Sequence, residues 1–231
     1  MSQITNQEKQ QSLFEILNNQ SKPAAKNSPQ SAPHEVREEA EPETLFEELR
    51  DACLGCNRCD LRKGCHQVVF GDGNPRARLM LVGEGPGADE DRLGMPFVGR
   101  AGKLLDRILQ AADIKREDIY IANIVKCRPP GNRLPLQPEI EACLPYLKKQ
   151  IELIDPEIIL CLGALSMRTL INKGASITRI RGQWYEIGGR KFMATFHPAA
   201  LLRDPSRKKD VWNDMQEIMK YYHEDNGGSA Q

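Results

Sequence analysis

RLMLVGEGPG, residues 78–87, runs from an apolar stretch straight into a loop of glycines, and its reading decides the fold. Three further apolar runs share its character: DIYIANIV at 118–125, EIILCLG at 157–163 and KFMATFHP at 191–198. Helix-like stretches follow the first three, at 101–112, 138–154 and 164–172, and a last helix is expected over 209–222. Apolar strands separated by helices give a parallel sheet covered on both faces. The expected fold class is therefore α/β, a three-layer α/β/α domain with a central four-stranded, mostly parallel sheet. Sites in such sheets lie at the carboxyl ends of the strands. GEGPG, NIVKC and HPAALL all fall there, which converges on one site.

Working outward, residues 18–44 hold no aromatic residue and no Ile, Leu or Met, but four prolines, Pro23, Pro29, Pro33 and Pro42. Such a stretch buries too little apolar surface to offset chain entropy. Residues 1–45 are thus expected to be a disordered N-terminal extension, and 46–231 a single domain of about 185 residues, ample for a core. The whole chain balances 32 Lys and Arg against 32 Asp and Glu, which excludes a polybasic binder. The first 45 residues carry four basic and seven acidic groups, leaving 28 against 25 for the rest, a mildly basic domain. No run of 18 apolar residues occurs and the polar start MSQITNQEKQ is not a secretory signal, so no membrane association is expected.

The seven cysteines, without a signal peptide, favour metal or cluster ligation over disulfides. Cys53, Cys56 and Cys59 are spaced three apart, Cys65 follows, and Cys127 and Cys143 come from far along the chain. Two thiolates on a tight turn with two from a distant segment suit either zinc or an iron–sulfur cluster. Cys161, inside an apolar strand, reads as a small buried hydrophobe. Gly83, Gly85 and Ala88 formally match a dinucleotide fingerprint. Pro86 follows the second glycine, the next clear helix is expected only near Gly99, and no strand ending in an acid comes twenty residues on. The loop is better described as a close-approach site for a ligand.

Taken together, GEGPG, MPFVGRAG, NIVKCRPP and HPAALLR resemble, in order and spacing, a family 4 uracil-DNA glycosylase, the iron–sulfur type. The resemblance spans Cys53 to about Lys220 and leaves the N-terminal arm outside. It implies a 4Fe–4S cluster held by a close cysteine pair ahead of VVFG and by two more, sixteen apart. Aligned back from VVFG at 68–71, the ligands become Cys56, Cys59, Cys127 and Cys143, with Cys53 and Cys65 open as alternatives.

The same resemblance assigns the chemistry of a hydrolytic glycosylase that extrudes deoxyuridine, cuts its N-glycosidic bond and leaves an abasic site for base excision repair. Phe97 resembles the stacking platform. Asn123 resembles the residue that reads uracil, its amide offering one donor and one acceptor to O4 and N3–H. His197 resembles the catalytic histidine, a donor placed where charge develops on O2. Gly85 stands where relatives carry a water-activating Asp, which leaves Glu84, Glu90 in the acidic DEDR stretch, or backbone groups of this loop as the candidates for positioning the water. Gly87 stands where relatives exclude thymine with a Tyr, and Glu90 is the candidate for blocking the methyl group, against a plain reading as a solvated charge.

For DNA contact, Leu201 resembles the wedge leucine. Arg203, Arg207 and Lys208, with Lys209, Lys126, Arg128 and Arg133, supply candidate phosphate contacts. Uracil-containing DNA, single- or double-stranded, is the expected partner of a monomer working in the cytoplasm at the nucleoid. QQSLF at 10–14 resembles the pentapeptide that docks DNA enzymes on the sliding clamp, through Gln10, Leu13 and Phe14, and the motif extends to residue 17. No KRRIH-like insertion lies between Asn123 and Cys143, so turnover rather than covalent capture is expected. Two other readings stand beside this one: a non-catalytic zinc or iron–sulfur nucleic-acid module, and a dinucleotide enzyme.

Overall fold

The computed structural model describes residues 42–224. The arm expected over 1–45 lies outside the described residues except for its last four, which already open a helix, α1 (Pro42–Leu54). That helix is fastened by Phe46, whose ring packs edge-on against Phe70 and Tyr120 at centroid distances of 5.5 and 5.7 Å. In order follow α2 (Leu61–Gly64), β1 (Asp72–Gly73), β2 (Leu79–Gly83), α3 (Ala88–Leu93), α4 (Arg100–Ala111), β3 (Tyr120–Asn123) and α5 (Gln137–Ile154). The chain continues through β4 (Ile158–Leu162), α6 (Ala164–Leu170), α7 (Ile177–Ile180), β5 (Tyr185–Ile187), β6 (Arg190–Thr195), α8 (Pro198–Arg203) and α9 (Lys208–Glu224).

The sheet runs β1-β3-β2-β4-β6-β5. Its four inner strands are parallel, as expected from the apolar runs, and β1 and β5 pair antiparallel at the two edges. The sheet therefore has six strands rather than four. The two additional strands are only two and three residues long and carry exposed positions, so they leave no apolar run to read.

Alternation along the inner strands divides the core in two. Met80, Val82, Ala122, Ile159, Cys161 and Ala194 face the layer that contains Leu147 of α5 and Met167 of α6. Leu79, Leu81, Ile121, Leu160 and Met193 face Leu105 and Leu109 of α4 and Met215 and Ile218 of α9. Cys161, fully buried in the first layer, is the small hydrophobe its setting implied.

Register fixes what meets at the carboxyl edge. Gly83 lies opposite Asn123, and Leu162 opposite Thr195, so the segments leaving β2, β3, β4 and β6 emerge side by side. One local expectation is corrected there: a helix begins directly after GEGPG, at Ala88, rather than near Gly99. Its first turn carries Asp89, Glu90 and Asp91, acids that suit a helix N-terminus electrostatically, which is why a charged run forms a helix here.

Candidate active site

A cleft of about 360 Å³ opens at this edge, within the range of small-ligand sites. Glu84, Gly85, Glu90, Phe97, Asn123 and His197 all line it, so residues spread over 114 positions of sequence share one wall system. Asn132, Arg133 and Arg100 line it too; they were not singled out as base-contacting, because no local pattern marks them.

Asn123 ends β3 and is 2% exposed. Its Oδ1 is buried with no hydrogen-bond partner, one of two such side-chain atoms among the described residues. An unpaired buried acceptor costs about 1–3 kcal/mol, so its persistence in a cleft marks a place for a donor from outside the chain. The neighbouring Gly83 makes this placement possible. A Cβ there would stand 2.4 Å from Asn123 Oδ1 and 2.6 Å from Phe97 Cζ.

Phe97 is 5% exposed and has a φ of 51°, a left-handed conformation unfavourable for an aromatic residue. The turn is held from both sides. Arg116 donates to the carbonyls of Pro96 at 2.6 Å and Phe97 at 3.4 Å. Glu90 Oε1 accepts from the backbone N–H groups of Val98 at 3.0 Å and Gly99 at 2.8 Å. Glu90 is therefore a clamp on the Phe97 turn rather than a solvated charge. Its other oxygen stands 2.7 Å from where a Cβ on Gly87 would lie, so its carboxylate fills the space a side chain at 87 would enter. The long-range role of Arg116 left no local trace in the sequence.

His197 caps the N-terminus of α8, with its Nδ1 accepting from the backbone N–H of Ala199 at 3.1 Å. That bond commits Nδ1 as acceptor, so the neutral ring carries its proton on Nε2. Burial, reinforced by the Arg203 cation, lowers its pKa to about 4, against a smaller opposing effect of Glu90. The imidazole is thus a neutral donor at physiological pH. Its ring lies 5.4 Å from that of Phe97 at 30°, which joins platform and donor in one wall. Gly163, with a φ of 100°, lets β4 end within 3.0 Å of the His197 Cβ, measured from where its own Cβ would be. The Glu84 carboxyl is raised above its usual range by burial, an effect partly offset by Arg203. Arg203, expected to contact phosphate, thus also sets the field on Glu84 and His197.

Two expected DNA contacts are corrected. Leu201 is 2% exposed and packs in the second core layer, where α8 lies against α4; Leu202 is the exposed leucine of that helix at 38%. Lys126 is 1% exposed, with Nζ 2.5 Å from Gln150 Oε1, so it cannot join a phosphate patch. Arg207 stays near the surface, its guanidinium over Phe196 at 4.7 Å and its Nε bonded to Asp204, and Lys208 is exposed at the start of α9.

A second recess brings the cysteines together. Cys53, Cys56, Cys59, Cys127 and Cys143 line it, with Lys126 and Tyr146. Cys65 is not part of the lining, although its thiol interacts with that of Cys127. Backbone N–H groups point at two of the sulfurs: Lys126 N to Cys143 Sγ at 3.2 Å and Arg58 N to Cys56 Sγ at 3.5 Å. Burial pushes the Cys127 and Cys143 thiols up, and that of Cys53 to about 12. Among the described residues no three His, Cys, Asp or Glu side chains stand close enough to hold a single metal ion.

Residues 70–216 match the model of the Uracil DNA glycosylase superfamily. A Type-4 uracil-DNA glycosylase of Thermotoga maritima is 43% identical over 183 residues, covering 78% of this chain and 95% of that one. The Type-4 uracil-DNA glycosylase of Archaeoglobus fulgidus is 41% identical over 184 residues, with 76% and 92% covered. That of Saccharolobus solfataricus is 44% identical over 179 residues, with 74% and 83% covered.

Proposed function

The chain belongs to the uracil-DNA glycosylase superfamily, alongside its type-4 members, and from that premise we propose that it releases uracil from DNA by hydrolysis of the N-glycosidic bond, leaving an abasic site for base excision repair. The observation that carries this reading is the unpartnered buried Oδ1 of Asn123, at the end of β3 and beside Phe97. Uracil offers N3–H to that acceptor and O4 to the amide N–H group. Cytosine presents an acceptor at N3 and a donor at C4, so both contacts fail and the amide stays unpaired.

The nucleotide must leave the stack to reach this edge. Phe97 supports the flat face of the base, and Asn123 fixes its rotation. As the bond to the sugar lengthens, negative charge grows on the uracil, and Nε2–H of His197 donates to O2. A neutral imidazole kept so by burial and the Arg203 cation is suited to this, since it has a proton to donate and places no full charge on the ground state. Glu84, the remaining carboxylate with raised basicity in the cleft, positions the water that meets the sugar carbon. The Glu90 carboxylate, in the space beside Gly87, stands against the methyl group of thymine.

The five-thiol recess fits an iron–sulfur cluster better than a single ion. Its donor set is all sulfur, backbone N–H groups already point at two of the thiols, and a four-iron cube spreads its ligands apart. Cys56, Cys59, Cys127 and Cys143 would hold a 4Fe–4S cluster, with Cys53 as a fifth thiol on the same wall. Bound there, it supplies a rigid tie between the segment after α1, the loop after β3, and α5; hydrolysis itself transfers no electrons.

Asn123→Asp tests the reading. The variant keeps an acceptor but loses the amide donor, so its preference for uracil over cytosine should narrow by at least about tenfold, measured as the ratio of kcat/KM for matched deoxyuridine and deoxycytidine strands. Unchanged discrimination would remove Asn123 from base recognition.

A further inference from the structure

Extruding a base from a duplex leaves a gap that an apolar side chain commonly enters, and the burial of Leu201 within the core leaves that role open. We propose that Leu134 is the wedge: it enters the DNA stack as deoxyuridine turns into the cleft. The inference rests on the glycosylase reading above.

Leu134 follows directly on Asn132 and Arg133, both in the cleft wall, and at 63% it is the most exposed large hydrophobic residue among those described. Isolated exposed leucines are ordinary. This one is held in place by its neighbours. Gly131 and Asn132 adopt φ values of 61° and 56°, and Arg128 Nε donates to Asn132 Oδ1 at 2.7 Å. Arg133 makes a two-pronged pair with Glu139 at 2.7 and 2.9 Å and also donates to the Leu134 carbonyl at 2.9 Å. Glu139 in turn accepts from Leu136 N at 2.7 Å, and Pro135 between the two leucines is buried. The backbone on both sides of Leu134 is therefore tied down while its side chain faces solvent, the preorganised form a wedge requires.

Other exposed apolar residues near the cleft fit less well. Leu93 ends the acidic helix α3 and Met95 follows it, and the charges of that helix oppose a phosphate backbone. Leu202 is less exposed, at 38%, and is a competitor because Arg203 stands beside it.

A wedge is needed only when the base must be taken from a stack, so the readout is the ratio of activity on duplex to activity on single-stranded DNA. The full-length chain with its full iron complement, as wild type, Leu134→Ala, Leu134→Met and Leu202→Ala, is assayed on one deoxyuridine strand, alone and paired. Leu134→Ala should lose about tenfold or more in kcat/KM on the duplex while staying within about twofold on the single strand, and Leu134→Met should restore the duplex rate. Equal effects on both substrates, or a duplex-selective loss confined to Leu202→Ala, would overturn the assignment. Failure of the wild type to release uracil from either substrate would instead overturn the underlying function.

Discussion

Two of the titratable groups that line the cleft, His197 and Glu84, are shifted in opposite directions by burial. His197 is held neutral, its pKa near 4, whereas Glu84 is raised above the ordinary carboxylate value. The neutral imidazole and the charged carboxylate are the working forms, so activity should show no titration near pH 6.5, where an unperturbed histidine ionises. As pH falls, Glu84 takes its proton first and sets the acid limb of kcat/KM; Glu84→Gln should lower the rate and remove that limb. A step centred near 6.5 in the wild-type profile would contradict the neutral-donor role of His197. Glu90 yields a second prediction. Its Oε1 holds Val98 and Gly99 while Oε2 fills the space beside Gly87. Glu90→Ala should therefore cost about 1–3 kcal/mol of stability, read by denaturant unfolding, and raise excision of thymine relative to uracil. At this scale the motifs made Asn123, Phe97 and His197 legible as residue types. Which of two adjacent leucines faces the core was not legible, since that depends on how α8 is rotated against the core.

Among the elements, the four inner strands were legible because each is buried on both faces and reads as an apolar run. The edge strands were not, and α3 was hidden because a Pro-Gly pair precedes it and its first turn is acidic. The cleft depends on how closely β2 and β3 approach at their carboxyl ends, and Gly83 sets that approach. Gly83→Ala would drive a methyl group into Asn123 and Phe97, at 2.4 and 2.6 Å from their atoms before any adjustment. The strand pairing can tolerate this change, but the wall of the cleft cannot. The expected outcome is a folded protein with kcat/KM lowered by about 100-fold, checked by kinetics beside a thermal melt, because displacements of an ångström at a reacting centre cost that much.

For the whole molecule, the cysteine recess borders the first core layer, to which Cys53, Cys127 and Cys143 belong, and draws on α1, the loop after β3, and α5. A cluster bound only by the folded state adds its binding energy to stability. Cys127→Ser and Cys143→Ser should lose iron and lower Tm by at least about 5 °C, while Cys65→Ser, outside the recess, should keep both. Iron lost from Cys65→Ser would redraw the ligand set. Spacing suggested a thiolate site, the family resemblance named four ligands for it, and Cys53 and Cys65 stayed open; in three dimensions Cys53 lies on the wall of the recess and Cys65 beside it. In the proposed function, cleft and recess together make a uracil-releasing enzyme. The most direct test incubates the iron-replete full-length protein anaerobically with a labelled strand containing one deoxyuridine and, separately, with the same strand carrying thymidine, followed by alkali to break abasic sites. Many turnovers of cleavage at uracil and none at thymine are expected; no cleavage at uracil by protein with its full iron content would contradict the glycosylase function.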